Sequence, residues 1–445
     1  MKILGRLAVT LASLSSAVGL RSSYGGTCVV PAVSSEVTRH CSQSSHIMGD
    51  DREKRKQAAM WGLFAGDAVA MPVHWYYSPS DIKRGYGGWL TEYRAPEKEH
   101  PGSILTISAT DGSGRVGWHS KSKRVIGDVI LQDKLKFWTS GKRGTHYHQG
   151  MSAGDNTLNA LTALQTFQVL QSKDPEGTQP AKQMREAVME NYVKFMTTPG
   201  SHNDTYAESF HRHFFRDWIS LENPPKDGAG LLEFCEERYE LAKTEGTDSQ
   251  IPQIGALPLA VPWILHYSHL SADECAENTV EAIKMTHPGP SLMPYVDKYA
   301  RVLHAVVNGQ DLRQVALDTL GSNTLGGSRK KEAVLKKIQE AERLEVTSEE
   351  RLKLNQKTVS MLGLACYIDG SFPSMLFLAA QFHDDFDNGI LTNANCGGEN
   401  AHRGGALGAL LGASIINHGK SVSDKWKEGL QSAQEDIRKL LNSRI

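Results

Sequence analysis

Asn393-Ala394-Asn395-Cys396-Gly397-Gly398-Glu399-Asn400-Ala401-His402-Arg403 runs straight into Gly404-Gly405-Ala406-Leu407-Gly408-Ala409-Leu410-Leu411-Gly412. The first part gathers amides, a thiol, a carboxylate, an imidazole and a guanidinium. The second has almost no polar side-chain atoms. Gly404, Gly408 and Gly412 recur every fourth residue, so in a helix they share one face and let a neighbouring backbone approach closely. A polar loop feeding a helix buried by its small residues is how a rigid scaffold presents a site at a helix N-terminus. The plainer alternative is a polar loop that does no more than precede a core helix.

Two other segments echo the first. His146-Tyr147-His148-Gln149-Gly150-Met151-Ser152-Ala153-Gly154-Asp155-Asn156-Thr157 leads into a stripe of Leu158, Leu161, Leu164 and Phe167, which predicts a helix with Asp155 or Asn156 as its N-cap. Gly62-Leu63-Phe64-Ala65-Gly66-Asp67-Ala68-Val69-Ala70-Met71-Pro72-Val73-His74-Trp75 places small residues on a helix that Pro72 stops, with His74 and Trp75 beyond it. His202-Asn203-Asp204-Thr205-Tyr206-Ala207-Glu208 offers Asn203 and Asp204 as caps for a helix carrying Phe210 and Phe214, and His202 and Tyr206 as cleft residues. His287, before Pro288, is either a helix C-terminal partner or a pocket residue. Trp118 and Tyr147 offer stacking surfaces for a base or sugar, although large aromatics belong more often to a core.

In order and helix context, these segments resemble the ADP-ribosylglycohydrolase family, and more closely its crystallin-J1-like branch. Gly66-Asp67-Ala68-Val69-Ala70-Met71-Pro72-Val73-His74 resembles the family's Gly-Asp-Ala-x-Gly-x-Pro-x-Glu pattern, and Gly154-Asp155-Asn156-Thr157 its Thr-Asp-Asp-Thr helix start. Gly397-Gly398-Glu399-Asn400-Ala401-His402 resembles its Gly-Gly-Asp-x-Asp-Thr motif. The resemblance covers roughly residues 55 to 418. It implies an all-α fold, a compact multi-helix bundle with the three motifs meeting at one central cleft. It also implies a metal-assisted hydrolase of an ADP-ribosyl or related ribosyl glycosidic bond. The implied metal ligands and catalytic residues are Asp155 and Glu399. Asn156, His74, His402, Asn400, Trp118 and Tyr147 would complete the shell or hold a small-molecule or ADP-ribosylated substrate. The family's typical enzymes hold two magnesium ions with carboxylates and threonine hydroxyls. Here only Asp155 and Glu399 remain carboxylates, Gly154 and Ala401 offer no side-chain ligand, and the imidazoles of His74 and His402 suit softer ions than magnesium. A divalent metal, magnesium or a softer ion, is therefore the expected cofactor. Two alternatives stand beside the hydrolase: a catalytically silent crystallin-like protein, and a different enzyme using His402, Cys396 and Glu399 on the same scaffold.

The rest of the chain sets bounds. Its 445 residues, 40% hydrophobic and 22% charged, suffice for a sizeable core. A net charge of −1 argues against a broad nucleic-acid surface. Residues 1–50 read as a targeting or unfolded segment ahead of a domain over residues 51–445: basic, serine-rich, with Glu36 the first acid. The composition leaves a secretory signal and a mitochondrial or plastid transit peptide both open. Its apolar stretch, Leu7 to Leu20, is too short for a stable membrane span. None of the six cysteines forms a Cys-x-x-Cys pair, and the four beyond the first fifty residues read as reduced, packed thiols, with Cys396 open to activation at a helix N-terminus. The polar stretch Glu332 to Lys357 reads as peripheral helices or a lid.

Overall fold

The computed structural model describes residues 35–113, 123–246, 250–322, 325, 327–431 and 434–442. The chain divides into two units, residues 1–47 and residues 48–445. Of the first, the described backbone, 35–47, is helical; this helix, Ser35–Ala70, thus begins inside the stretch read from sequence as a targeting segment. The second unit is all-α. Among the described residues there are no strands, only three isolated bridges, one of which joins Gln253 to Tyr367. No described helix is long and apolar enough to cross a membrane.

The small-residue helix, Asn400–Asn417, is the axis of this unit, and every residue from Asn400 to Ile415 is buried. Helices Phe386–Cys396, Ile368–Gln381, Met293–Val307 and Ala256–His266 pack around it. The glycines explain how a helix can be buried on every side. A Cβ on Gly404 would lie 2.4 Å from the Gly66 carbonyl oxygen, one on Gly408 2.0 Å from that of Gly62, and one on Gly412 2.1 Å from that of Ala58. The order of those contacts makes the two helices antiparallel, backbone against backbone. Tyr299, wholly buried, donates its hydroxyl to the Ala406 carbonyl and ties a third helix to the axis.

The first helix ends at Ala70, and a 3-10 turn, Met71–Val73, carries Pro72, as the proline predicts. The chain then reaches Trp75 in the left-handed region, φ 63°, an unfavourable conformation for a bulky residue. The backbone N–H of Trp75 donates to Gly398 and that of Gly398 to Tyr76, so this turn is bolted to the loop ahead of the axial helix. Residues 332–357 lie on two helices, Gly327–Glu342 and Glu349–Leu362, and the turn between them, with mainly polar faces outward.

Two caps differ from the sequence expectation. The helix over Leu158–Lys173 has Thr157, not Asp155 or Asn156, at its N-cap, and no side chain of its own segment caps it. Asp204, from a loop 46 residues away, accepts the Leu158 N–H instead. Asp204 therefore does not cap its own following helix, Ser209–Ser220, whose N-cap is Glu208. The reason is electrostatic: the buried start of the first helix offers its N–H donors to a carboxylate.

Candidate functional site

Four loops and helix starts deliver a buried row of acids and imidazoles. Asp204 Oδ1 lies 2.7 Å from His148 Nδ1, and His148 Nε2 lies 2.8 Å from His74 Nδ1. His74 Nε2 lies 2.7 Å from Glu399 Oε1. Three hydrogen bonds through two imidazoles and two carboxylates need three protons, one more than two neutral rings carry. His402 adds a further nitrogen, its Nδ1 3.0 Å from the same Glu399 oxygen and 3.7 Å from Glu208 Oε2. Glu208 in turn accepts a hydrogen bond from Asn159 at 2.7 Å.

Burial is nearly complete: His74 and Glu399 are 0% exposed and His402 and Glu208 2%. Desolvation therefore competes with charge pairing, and the winner differs by residue. Burial drives His74 down to about 3 although Glu399 pulls it up, so its contact with Glu399 is an N–H to carboxylate hydrogen bond rather than an ion pair. Burial also opposes the charge on His402, but Glu399 and Glu208 outweigh it and hold that ring protonated to about 10. Glu399 stays well below the ordinary carboxylate range because His74 and His402 overcome its burial. Burial dominates at Glu208, whose carboxyl is pushed up despite His402. Asp204 is held low against burial, chiefly by His148.

Asp67 anchors the second motif to the first. Its carboxylate accepts from Asn156 Nδ2 at 3.0 Å, from the Thr157 N–H at 2.8 Å and from the Thr157 hydroxyl at 2.7 Å. Asn156 also donates to the Phe64 carbonyl. Asp155 is occupied by its own loop: Oδ2 accepts from the Ser152 N–H and from Asn203, at 2.8 and 2.7 Å. Asn400 donates to the carbonyls of Val73 and Ala394, bracing the Trp75 turn against the axial helix. Trp118 lies outside the described residues.

His74, Glu399 and His402 are thus brought together, with one donor atom from each within 4.8 Å of the others. Asp155 is not in that group. The sequence reading did not single out Asp67, His148 or Glu208 as site residues, and took Asp204 for a local cap. Asp67 and His148 lie inside the motifs themselves, whereas Glu208 closes the His202 segment and reaches the cluster only through the tertiary fold. Cys396 is 1% exposed, and burial pushes its thiol up to about 12, which removes it as a nucleophile. His287 is a core residue, 3.9 Å from the Phe210 ring centroid.

Beside this cluster lies a cavity of about 530 Å³. Trp75 forms the wall between them. Its ring stacks on His74 at 3.7 Å on one side and meets Tyr147 and Tyr206, which line the cavity, edge-on at 4.6 and 5.0 Å.

The departures from the two-magnesium pattern have physical causes. Gly154 sits at φ 85°, and a Cβ there would meet the Gly429 carbonyl oxygen at 2.0 Å, so threonine has no room. Asp155 and Asn156 are committed to loop and core hydrogen bonds. An all-oxygen set for two magnesium ions is not formed by the described residues. The donors that converge are two imidazoles and one carboxylate, a set that suits zinc, manganese or iron.

Fold and site together define a class, an all-α protein with an acid–imidazole centre at the N-terminus of a buried small-residue helix. The family model of ADP-ribosylglycohydrolase matches residues 48–445, and the chain belongs to that family, a family of hydrolases. A solved structure described as an "ADP-ribosylglycohydrolase-related protein complex" is similar over 88% of this chain and 98% of that one, at 15% identity and a TM-score of 0.44. No curated protein sequence matches this chain.

Proposed function

We propose that the protein is a metal-assisted hydrolase of an ADP-ribosyl or related N- or O-ribosyl bond, working with one divalent ion rather than two magnesium ions. The observation that carries this reading is the convergence of His74, Glu399 and His402 beside an aromatic-walled cavity. His74, His402 and Glu399 would hold the ion, which would have to displace the protons that the two rings share with Glu399 in its absence. Oε2 of Glu399 is buried without a hydrogen-bond partner, which leaves it open to a further ligand. Bound there, a divalent ion supplies positive charge that orients ribose hydroxyls and acidifies a water molecule.

The chain's own residues do the rest. His148 and Asp204 fix the orientation of the His74 ring, as a hydrogen-bonded carboxylate does behind a ligating imidazole. Glu208 Oε1, buried and without a partner, is the oxygen placed to move a proton at the leaving group or the water. Tyr147 and Tyr206 hold the substrate on the cavity side, and Trp75 keeps bulk water from the cluster. Asp155, expected from sequence as a metal partner of Glu399, acts in this reading by shaping the loop that carries Asn156 and Thr157.

The total burial of His74 and Glu399 favours a second reading, a silent crystallin-like protein whose polar cluster only holds the core together. One experiment separates the two. The full chain is incubated with ADP-ribosylated peptides, ester- and amide-linked, across magnesium, manganese and zinc, and free ADP-ribose is measured. Release that requires a metal and is lost in His402→Ala supports the hydrolase. No release with any metal, from protein that melts normally, supports the silent reading.

A further inference from the structure

At the far end of the axial helix from the acid–imidazole cluster, three residues distant in sequence meet. Asp311, His383 and His418 each place a donor atom within 4.8 Å of the other two. His418 is the C-cap of the axial helix, Asn400–Asn417. His383 follows Phe382, the C-cap of Ile368–Gln381, and Asp311 is the N-cap of Leu312–Leu320. His402 stands in the first turn of the axial helix, whose 18 residues span about 27 Å at about 1.5 Å each, so the two groups are separate sites.

The fold itself leaves these donors largely unspent. Asp311 caps its helix through Oδ1, which accepts the Gln314 N–H at 2.7 Å; the bond orients the carboxylate and leaves it lone pairs for a further ligand. The His383 carbonyl accepts the Ser414 hydroxyl at 2.6 Å, which pins that residue to the axial helix, yet its ring Nδ1 is buried with no hydrogen-bond partner. The His418 ring stands edge-on to it, centroids 5.3 Å apart. Both imidazoles lie at helix C-termini, where the last carbonyls carry partial negative charge and favour a cation. Asp384 Oδ1 is 3.9 Å from His383 Nδ1, near enough to back the ring as carboxylates do behind ligating imidazoles. Two nearby cations are turned to other partners: Arg313 pairs with Glu342, and Lys420 donates to the Asp384 carbonyl. Helix-end electrostatics alone would account for one imidazole at each C-terminus. It does not account for their convergence with Asp311.

We propose that Asp311, His383 and His418 form a second metal site, for a divalent ion of the zinc type. Two nitrogens and a carboxylate oxygen leave the fourth position of a tetrahedron to water. Bonds of about 2.0–2.2 Å set neighbouring donors about 3.3–3.6 Å apart. Asp311 and His418, both exposed, reach that spacing by side-chain rotation while His383 stays pinned. The ion clips the end of the axial helix to the two helices beside it. Magnesium and calcium, which prefer more ligands and all of them oxygen, do not match this set.

The inference does not rest on the hydrolase reading, and its test counts ions rather than turnover. The full chain, stripped with EDTA, is dialysed against low-micromolar zinc in excess magnesium, and bound zinc is measured by atomic emission. The unaltered protein should hold one zinc more per chain than His418→Ala, whatever the His74 cluster binds. His383→Gln should lose the same ion, and Asp311→Asn, which keeps the helix cap, should bind it more weakly. Zinc should raise the melting temperature of the unaltered protein by about 2 °C or more beyond its effect on His418→Ala, while the two melt together in EDTA. Equal zinc content in the unaltered protein and His418→Ala, whose altered side chain is exposed, overturns the proposal. So does loss of the extra zinc to magnesium, or its retention in a folded His383→Gln.

Discussion

Replacing Gly408 by alanine adds one methyl group at one of the closest backbone contacts among the described residues, and its effect follows from geometry. The new Cβ would stand 2.0 Å from the Gly62 carbonyl oxygen. An ordinary carbon–oxygen contact is about 3.3 Å, so the two helices must part by roughly 1.3 Å. A gap of that size forfeits more than half of the dispersion energy along the seam. The neighbouring contacts, Gly404 on Gly66 and Gly412 on Ala58, open with it. Overpacking costs about 1–3 kcal/mol, occasionally more, and the opened seam puts this case at the upper end. Alanine returns about 1 kcal/mol through its better helix propensity. We expect a net loss of about 2–3 kcal/mol, read as a fall of roughly 2–4 °C in melting temperature for a body of this size. Gly405→Ala is the internal control. Three residues earlier on the same helix, its Cβ would meet Pro258 Cγ at 3.5 Å and the Leu63 oxygen at 3.6 Å, ordinary contacts. That variant should be neutral, or more stable by up to about 1 kcal/mol. Equal melting temperatures for the two variants, by calorimetry and by urea titration, would refute the close-packed axis.

Other expectations follow from particular contacts. Gly154→Thr restores the family's motif residue but forces a β-branched side chain to φ 85° against Gly429, so it should lower stability by about 3 kcal/mol or more in urea titration and not raise metal uptake. Asp204→Asn removes the charge that faces His148 and the start of the helix at Leu158; a loss of about 3 kcal/mol is expected, against none if that row of groups were solvated. Cys396, buried and with its thiol pushed up to about 12, should resist alkylation in the native protein and react only on unfolding, as mass spectrometry of labelled peptides would show; rapid native labelling would contradict its placement.

The fold was largely legible in the sequence because its determinants are local. The four-residue spacing of Gly404, Gly408 and Gly412 is a helix face, and Pro72 is a stop, whatever else the chain does. The apolar stripe from Leu158 to Phe167 also became a helix. The cap of that helix was misread because the group that satisfies its first N–H, Asp204, comes from 46 residues away. The site was half legible for the same reason. His74, Glu399 and His402 stand in motifs and could be named. Glu208 becomes a site residue only because helix Ser209–Ser220 brings it within 3.7 Å of His402, and nothing in its own neighbourhood announces that. Asp155 shows the converse: a motif position whose Oδ2 is held by Ser152 and Asn203 and which lies outside the group of His74, Glu399 and His402.

The central claim is that Glu399, between His74 and His402, is the charge on which the chemistry depends. The most direct test is the rate of ADP-ribose release by the full chain and by Glu399→Gln, at saturating substrate with the metal that best supports the unaltered protein. The substitution keeps the size of the side chain and one carbonyl oxygen while removing the negative charge. The account predicts a rate at least about a hundredfold lower, with the helical fold retained by circular dichroism. Release by Glu399→Gln at the rate of the unaltered protein would contradict it.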